Sequence, residues 1–366
     1  MRILYGVQAT GQGHISRARA MAKALQDTGV EVTWLFSGRP RDRLFDMEPF
    51  GDYLHRDGLS FVTQSGRIRY RATVAASKPW RFLRDARALD VSRYDAVVTD
   101  FEPVTAWAGR LAGARTIGIG HQYAFGPETP RSGHSWWAQW IMDNFAPVAT
   151  PLGLHWHPYA SNILPPILDL PARPGPQGEH FLVYLPFEDQ AAVTGLLRQL
   201  PGYRFVQYAP GLRSQCLDNV THCPASIAGF KRHLAGSRGV ICNSGFELVS
   251  ECLHWGKPVF TRPLHRQMEQ LSNALALQQL GYATVSRQLS AAELADWLAR
   301  PPVPAARPFA DVARALALWL ADGATASPRQ LAQTLWRQTG SSRAHRPPGD
   351  RTPLPVPASP EAVAAA

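Results

Sequence analysis

Two rounds of strand–helix alternation, separated by a segment rich in proline and glycine, constrain the fold of this chain more than any other feature. The first round begins with an apolar run at Arg2–Val7 and an amphipathic pattern at Ile15–Leu25. Asn162–Gly178 then reads NILPPILDLPARPGPQG and predicts no regular element. The alternation restarts at His180–Pro186. This pattern predicts parallel sheets covered by helices on both faces.

The length of the chain fits this pattern, because 366 residues exceed what one hydrophobic core usually organises. We predict an α/β fold of two Rossmann-like parallel-sheet domains that face each other across a cleft. The domains are expected at 1–160 and 179–340, joined by a linker at 161–178, with the final helices able to cross back to the first domain. A disordered Pro/Ala-rich tail is predicted at 341–366. Ligands of open parallel sheets bind beyond the carboxyl ends of the strands, so the loops there should carry the chemistry.

The composition and charge indicate a globular protein that meets anionic partners. The formal net charge of +10 suits phosphorylated substrates, an anionic membrane face or nucleic acid. We predict no nucleic-acid partner, since the basic residues form no patch interleaved with aromatic side chains. The sequence has no C-x-x-C pair, no signal-peptide pattern and no apolar run of roughly 20 residues, so we expect a cytoplasmic location.

The loop after the first strand, GVQATGQGHISRARA, combines two glycines with a histidine at a predicted helix start. Gly11 and Gly13 allow a ligand to approach the backbone closely, and the free N–H groups of the helix suit an anion. Ser16 replaces the third glycine of a dinucleotide fingerprint, and the lysine of a P-loop is missing. His14 is a candidate for chemistry in the cleft; the alternative is that it only caps the helix.

The most informative stretch runs from 243 to 273 and places polar groups at strand-to-helix junctions. The Asn243-Ser244-Gly245 turn leads into a helix whose first amides suit a diphosphate. Glu251, two turns along, is placed to accept hydrogen bonds from ribose hydroxyls. For each residue alone, a solvated or structural role is the competing explanation. After the next strand comes a second polar group, suited to a sugar and a leaving diphosphate: Arg262, His265, Glu269, Gln270 and Asn273.

Together these motifs resemble the donor-binding signature of the GT-B glycosyltransferases. The pattern G-x-G-H-x-x-R stands near the start, and N-S-G-F-x-L-x-S-E, G-K-P and Q-x-E-Q-x-x-N-A stand in the last third. The sequence is similar to the N-acetylglucosaminyltransferase that makes lipid II and to the UDP-glycosyltransferases. It resembles still more a little-characterised bacterial and archaeal family of glycosyltransferases. The resemblance extends to about residue 340 and implies a GT-B fold and a nucleotide-sugar donor, with UDP as the expected nucleotide.

The resemblance also assigns roles by position. It implies that Ser244 and Gly245 contact the donor phosphates and that Glu251 holds the ribose. The loop LPFED, after the first strand of the second half, lacks the glycines of the lipid II enzyme, so no nucleotide contacts are carried over to it. The other members of the predicted donor site, which bind the sugar or offset the leaving diphosphate, are Gly13, Asn243, Arg262, His265, Glu269, Gln270 and Asn273.

Two further pairs of polar residues follow strands of the first half and should lie at the sheet edge that carries His14. They are Asp100 with Glu102, and His121 with Gln122. An Asp100 carboxylate bonded to His14 would orient the ring as a base toward an acceptor hydroxyl, as an aspartate does in plant-type relatives. The alternatives are that Asp100 caps the next helix and that His121 is the base or binds an acceptor phosphate. We place Glu102, His121 and Gln122 on the acceptor side.

The predicted function is glycosyl transfer from a UDP-sugar to a hydroxyl acceptor, lipid-linked or saccharide, by an inverting displacement without a metal or other cofactor. The sequence has no Asp-x-Asp pair, with which the other common glycosyltransferase fold holds its metal. The competing functions are a UDP-sugar 2-epimerase of the same fold and a nucleotide-sugar-binding protein without catalysis. The basic stretch 67–93 and the aromatic cluster Ser135–Phe145 are candidate membrane contacts, with a solvated helix as the alternative.

Overall fold

Two seven-stranded sheets, one in each half of the chain, form the framework of the protein. The structure is a computed structural model that describes residues 1–59, 63–64, 67–68, 79–133, 136–170, 174–302 and 305–339. Helices alternate with the strands through both halves. The prediction of an α/β fold built on two parallel sheets is confirmed.

The first half follows the predicted alternation. Its elements, in chain order, are β1 (Arg2–Gln8), α1 (Gln12–Leu25), β2 (Glu31–Ser37), β3 (Leu54–His55), β4 (Thr63–Gln64), β5 (Arg67–Ile68), α2 (Pro79–Ala88), β6 (Ala96–Asp100), α3 (Pro103–Leu111), β7 (Thr116–Gly120), α4 (Trp136–Phe145), β8 (Thr150–Leu154) and β9 (Ile163–Leu164). The sheet has the order β3-β2-β1-β6-β7-β8-β9, and its strand pairs are parallel. The ribbon β4–β5 is antiparallel and separate.

The second half repeats the architecture. Its elements are β10 (His180–Tyr184), α5 (Gln190–Arg198), β11 (Arg204–Tyr208), β12 (Gln215–Leu217), β13 (Val220–Cys223), α6 (Ile227–Gly236), β14 (Val240–Asn243), α7 (Phe246–Trp255), β15 (Val259–Arg262), α8 (Met268–Leu280), β16 (Thr284–Val285), α9 (Ala291–Ala299), α10 (Val312–Ala321) and α11 (Pro328–Gln338). The sheet order is β12-β13-β11-β10-β14-β15-β16. Only the edge strand β12 runs antiparallel within the described part of this sheet.

Strand β1 shows why the first sheet is parallel and central to the fold. Ile3 and Tyr5 belong to the large apolar core on one face of the sheet, and Leu4 belongs to a separate core on the other face. None of the three is exposed to solvent. A strand that buries both faces requires helices on both sides, and this is the environment of strands in parallel α/β sheets.

The strand register brings the predicted site residues to the sheet edges that face the cleft. In the first sheet Val7 on β1 pairs with Asp100 on β6, so the loop that leads to α1 begins beside Asp100. In the second sheet Asn243 on β14 pairs with Arg262 on β15. Because both pairs lie at carboxyl ends of parallel strands, the loops that follow them converge on the cleft.

The last helices contact the first half of the chain. Arg115, just before β7, donates hydrogen bonds to the carbonyl oxygens of Gly323 and Ala324 after α10, at 2.6 and 2.7 Å. The indole Nε1 of Trp336 on α11 donates to the carbonyl oxygen of Ile163 at 2.7 Å. The C-terminal helices therefore pack against the first half of the chain, as the sequence analysis allowed.

The structure corrects one local prediction and does not cover parts of three predicted segments. The prediction of no regular element in Asn162–Gly178 is wrong at Ile163–Leu164, because these residues pair with Gly153 and Leu154 as the edge strand β9. Within the basic stretch, α2 begins at Pro79, and residues 69–78 lie outside the described residues. The same holds for residues 134–135 at the start of the aromatic cluster and for the tail from 340 onward.

Candidate active site

His14 and Asp100 meet at the carboxyl edge of the first sheet. His14 lies in the first turn of α1, and its Nδ1 is 2.8 Å from Oδ1 of Asp100, the last residue of β6. Asp100 is fully buried, whereas the His14 side chain remains 15% exposed. Nδ1 also lies 3.0 Å from NH2 of Arg17, which can only donate. In the tautomer that donates from Nδ1 to the Asp100 carboxylate, Nε2 carries the lone pair. The pair thus has the geometry of an oriented base.

Arg17, one turn further along α1, fixes the Asp100 carboxylate. Its Nε donates to Oδ2 at 2.8 Å and its NH2 group donates to Oδ1 at 2.6 Å, in a two-pronged contact. Burial alone would raise the pKa of Asp100, but the neighbouring Arg17 and His14 outweigh it and lower that pKa. Asp100 is therefore held as an anion beside the imidazole.

Glu102 serves the fold as a helix cap. Its two carboxylate oxygens accept hydrogen bonds from the backbone N–H groups of Val104 and Thr105 at 2.8 and 2.7 Å, and Ser37 Oγ donates to it at 2.6 Å. Burial raises its pKa. The alternative that Asp100 caps α3 is wrong, because Glu102 occupies that position. Glu102, placed on the acceptor side by the sequence, is fully buried under the site.

His121 and Gln122 connect the two halves of the chain. The two ring nitrogens of His121 lie 2.8 Å from the carbonyl oxygen of Leu154 and 2.7 Å from Oδ1 of Asn273 on α8. The buried ring stacks on Phe246 with 3.9 Å between centroids. Burial also lowers the pKa of His121. In this arrangement His121 offers neither nitrogen to an acceptor, whereas Gln122 lies at the cleft and donates to Glu269 at 3.2 Å.

The start of α7 presents backbone amides without a side-chain cap. Gly245 is the N-cap residue, and no side chain accepts a hydrogen bond from the first turn. Ser244 is buried beneath this turn, where its hydroxyl contacts Thr261 at 2.9 Å and its carbonyl oxygen accepts from Asn273 at 3.0 Å. The uncapped amides at the start of this helix have the geometry of an anion site. Ser244 supports this turn from below.

A second polar group lies at the carboxyl ends of β14 and β15. Glu188, in the LPFED loop after β10, forms an ion pair with Arg262 at 3.0 Å and accepts a hydrogen bond from Asn243 at 3.3 Å. Among the described residues, the buried Oδ1 of Asn243 and Nε of Arg262 have no hydrogen-bond partner. These two atoms are ready to bind a ligand, since buried polar groups usually have a partner.

Glu251 lies two turns into α7 and is almost completely buried. Lys231 on α6 forms an ion pair with its carboxylate. Burial raises the pKa of Glu251, and the lysine opposes that effect. A ribose bound at this position would therefore face a carboxylate that already forms an ion pair with Lys231.

The remaining predicted donor residues surround the start of α8. Gln270 accepts a hydrogen bond from the backbone N–H of Leu264 at 3.0 Å and so holds the loop after β15. Asn273 bridges His121 and Ser244, as described above. Glu269 is partly exposed at the cleft, and His265 is exposed. The side chains of Glu269 and His265 are thus accessible to a ligand. Those of Gln270 and Asn273 are buried and hold neighbouring loops through hydrogen bonds.

Nine of the α-helices have a described N-cap residue, and they divide into two groups by the way their first turns are held. Side chains cap α3, α5, α6, α9, α10 and α11. Helices α1, α7 and α8 begin at Gly11, Gly245 and Gln267, and no side chain caps them. All three start in loops of the candidate site, where free N–H groups are available to a bound anion.

Sequence reasoning missed four residues of this arrangement: Arg17, Glu188, Lys231 and Glu247. Arg17 had a signal, because it is the arginine of G-x-G-H-x-x-R and lies one helical turn after His14. Glu247, in the first turn of α7, forms an ion pair with Arg17 across the boundary between the two halves. The contacts of Glu188, Lys231 and Glu247 join segments far apart in the chain, so no local pattern reveals them.

No three His, Cys, Asp or Glu side chains of the described ranges come together as a metal site would require. In the same part of the chain, no helix has both the length and the apolar character needed to cross a bilayer.

Comparison with known structures identifies the fold. The protein is similar to SnogD, a glycosyltransferase of Streptomyces nogalater (TM-score 0.51, 17% identity, covering 92% of this chain and 96% of SnogD). It is similar to MurG of Acinetobacter baumannii (0.51, 15%, 92% and 99%). It also resembles the spinosyn rhamnosyltransferase SpnG in complex with thymidine diphosphate (0.53, 17%, 92% and 100%). The two sheets and the cleft between them therefore define a GT-B glycosyltransferase fold.

The sequence comparison gives the family. The sequence model of glycosyl transferase family 1 matches residues 1–125 and 157–302. This chain belongs to glycosyl transferase family 1 and is a glycosyltransferase. No curated protein sequence matches it.

Proposed function

We propose that this protein transfers a sugar from a UDP-sugar to a hydroxyl acceptor, with inversion at the anomeric carbon and without a metal ion. The observation that carries the proposal is the contact of 2.8 Å between His14 Nδ1 and Asp100 Oδ1. In the tautomer protonated at Nδ1 this contact leaves the lone pair on Nε2, and the same helix contacts the uncapped start of α7 through the ion pair of Arg17 with Glu247.

In the proposed reaction His14 is the general base. Its Nε2 takes the proton of the acceptor hydroxyl while the hydroxyl oxygen bonds to the anomeric carbon of the donor. The bond between that carbon and the diphosphate oxygen breaks, and the nucleoside diphosphate leaves with the electron pair. Asp100 stabilises the imidazolium that forms. Attack from the face opposite the leaving group gives the inverted product.

The donor diphosphate is proposed to bind at the start of α7. The free amides after Gly245 and the guanidinium of Arg262 would offset the charge of the leaving group in place of a metal. Glu269 would bond the donor sugar from the start of α8. Glu251 would receive the ribose hydroxyls and share one of its oxygens with Lys231.

Thermal unfolding in the presence of nucleotides tests the donor assignment. A ligand that binds only the native state raises the midpoint according to its concentration relative to its Kd. SpnG is seen with thymidine diphosphate, so the panel should contain UDP, thymidine diphosphate, GDP, ATP and NAD, each with magnesium or with EDTA. The proposal expects UDP to give the largest shift, and expects the same shift in EDTA. A shift with NAD or ATP alone would overturn it.

The acceptor is proposed to be lipid-linked or a saccharide, reached by a cytoplasmic enzyme that touches an anionic membrane face. Trp80 on α2 and Trp140 on α4 support this proposal, since they are 81% and 55% exposed. Exposed tryptophans beside basic side chains favour an anionic lipid surface. Flotation with vesicles of phosphatidylglycerol should recover the protein, and Trp80→Ala with Trp140→Ala should abolish recovery. Leu111→Ala, at 53% exposure, is the matched control; equal loss in that variant would contradict the assignment.

A further inference from the structure

Arg17 is buried between two carboxylates that come from different halves of the chain. Its Nε and NH2 groups donate hydrogen bonds to Asp100 of β6, and its NH1 group forms an ion pair with Glu247 in the first turn of α7. The Arg17 side chain is 2% exposed and that of Glu247 is 21% exposed. The guanidinium therefore has carboxylate neighbours on two sides. Asp100 contacts His14, and NH2 of Arg17 also lies 3.0 Å from His14 Nδ1.

Glu247 packs closely against the loop that carries His14. A Cβ atom at Gly13 would collide with the Glu247 carboxylate, so the glycine makes room for this side chain. A carboxylate in the first turn of a helix is also stabilised by the positive end of the helix dipole. Glu247 thus reaches Arg17 as an anion from the donor half of the protein.

The charges of this cluster bear directly on the base. With Asp100 alone, the positive charge of Arg17 would cancel the carboxylate that faces His14. With Glu247 added, two carboxylates share one guanidinium, and one net negative charge remains beside the imidazole. That charge favours the imidazolium formed when the base takes a proton.

Two tyrosines, a histidine and a glutamate are the other titratable groups that lie near the cluster. Burial raises the pKa of Tyr5 on β1 and of Tyr123 after β7, so both phenols stay neutral. Burial lowers the pKa of His121, and its two ring nitrogens both face oxygen atoms, those of Leu154 and Asn273. Glu269, which bonds Gln122, adds a further negative charge at the rim of the cleft.

We propose that Glu247 is a positioning residue for the base: by engaging Arg17 it leaves the charge of Asp100 available to the His14 imidazolium. Glu247 belongs to the donor half and Arg17 to the acceptor half. His14 is therefore most basic only when the start of α7 packs against α1 and this ion pair forms. This inference rests on the proposed function, in which His14 is the base.

The test is the pH dependence of kcat in Glu247→Gln, which keeps the shape of the side chain and removes its charge. On the acidic side of the profile, the pH at which kcat reaches half of its plateau should fall by about 1 unit when this negative charge is removed. The plateau above it should fall about three- to tenfold, because the base is weaker. Glu179→Gln is the matched control: this glutamate is exposed and pairs with Arg204 at the opposite end of β10, at 3.5 Å.

A second variant keeps the inference testable if the charge change disturbs folding. Gly13→Ala displaces the Glu247 carboxylate without changing any charge, and it should move the acid limb in the same direction as Glu247→Gln. An unchanged acid limb in both variants, with His14→Ala inactive, would overturn the role of Glu247 and leave the base assignment standing. Full activity of His14→Ala would overturn both proposals.

Discussion

His121 and Asn273 meet across the boundary between the two halves of the protein, with Nε2 and Oδ1 separated by 2.7 Å. The Asn273 amide also donates to the carbonyl oxygen of Ser244 at 3.0 Å. One buried side chain on α8 therefore holds both the loop after β7 and the turn that leads into α7. The contact fixes the relative position of the base loop and the proposed donor site.

Replacing Asn273 with alanine should destabilise the protein by about 2 kcal/mol, because it leaves the His121 nitrogen and the Ser244 carbonyl oxygen buried without partners. Urea unfolding followed by tryptophan fluorescence measures this loss. Asn162→Ala is the control, since that amide bonds the Pro151 carbonyl oxygen in an exposed position, and it should change the free energy of unfolding by less than about 0.5 kcal/mol. Equal losses in the two variants would contradict a special role for Asn273.

His14→Ala should lower kcat by about 10²- to 10⁴-fold, the usual contribution of a general base. The nucleotide-induced rise in the unfolding midpoint should stay unchanged, because the ring contacts Asp100 and is not assigned to the donor. His180→Ala is the control, since His180 lies at the amino end of β10 and bonds the His233 carbonyl oxygen at 2.9 Å. Loss of nucleotide binding in His14→Ala would place the histidine in the donor site instead.

Asp100→Asn should destabilise the protein at neutral pH by about 3 kcal/mol, because it removes the anion that faces the buried Arg17. The folded pKa of Asp100 lies below its ordinary value of 3.8. Its stabilising effect is therefore complete above the ordinary pKa and is lost as the pH falls through the lower, folded pKa. The difference in unfolding free energy between the wild type and Asp100→Asn should shrink as the pH falls from 7 toward 3.

The control for this prediction is Asp218→Asn. Asp218 forms an exposed ion pair with Arg198 at 2.6 Å, and such pairs contribute at most about 1 kcal/mol. A difference for Asp100→Asn that stays constant with pH would show that the Asp100 charge is not what stabilises the fold.

Arg262→Ala should weaken UDP binding by about tenfold and UMP binding much less, because a guanidinium that faces a diphosphate gives a charge-assisted hydrogen bond. Titration calorimetry with the two nucleotides gives the ratio of their affinities. Arg198→Ala, which removes an exposed arginine on α5, should leave the ratio unchanged. An equal loss for UMP and UDP would assign Arg262 to the nucleoside and not to the leaving phosphate.

The sequence predicted the two sheets because helical and strand periods are local properties of the chain. The short strand β9 was not predicted, since two residues directly before a pair of prolines carry no periodic signal. The proximity of His14 and Asp100 could be anticipated as well, because both follow strands that are neighbours in the sheet. The roles of these residues stay predictions.

The partners of the site residues could not be predicted in the same way. Lys231 reaches Glu251 from the preceding helix, and Glu188 reaches Arg262 from another strand end. The sequence offered Asp100 as a candidate cap for the helix that follows and placed Glu102 on the acceptor side. Only the backbone path, with Phe101 at φ 52°, decides that Glu102 takes the cap.

Helices α1, α7 and α8 begin without a side chain that holds their first turns, so these turns should fray in the unliganded protein more readily than the capped ones. A diphosphate that accepts hydrogen bonds from these amides would act as the missing cap. Hydrogen exchange would then slow at the first amides of α7 when the nucleotide binds, while the capped starts of α5 and α9 would exchange as before. In this view the bound nucleotide completes the secondary structure of the enzyme.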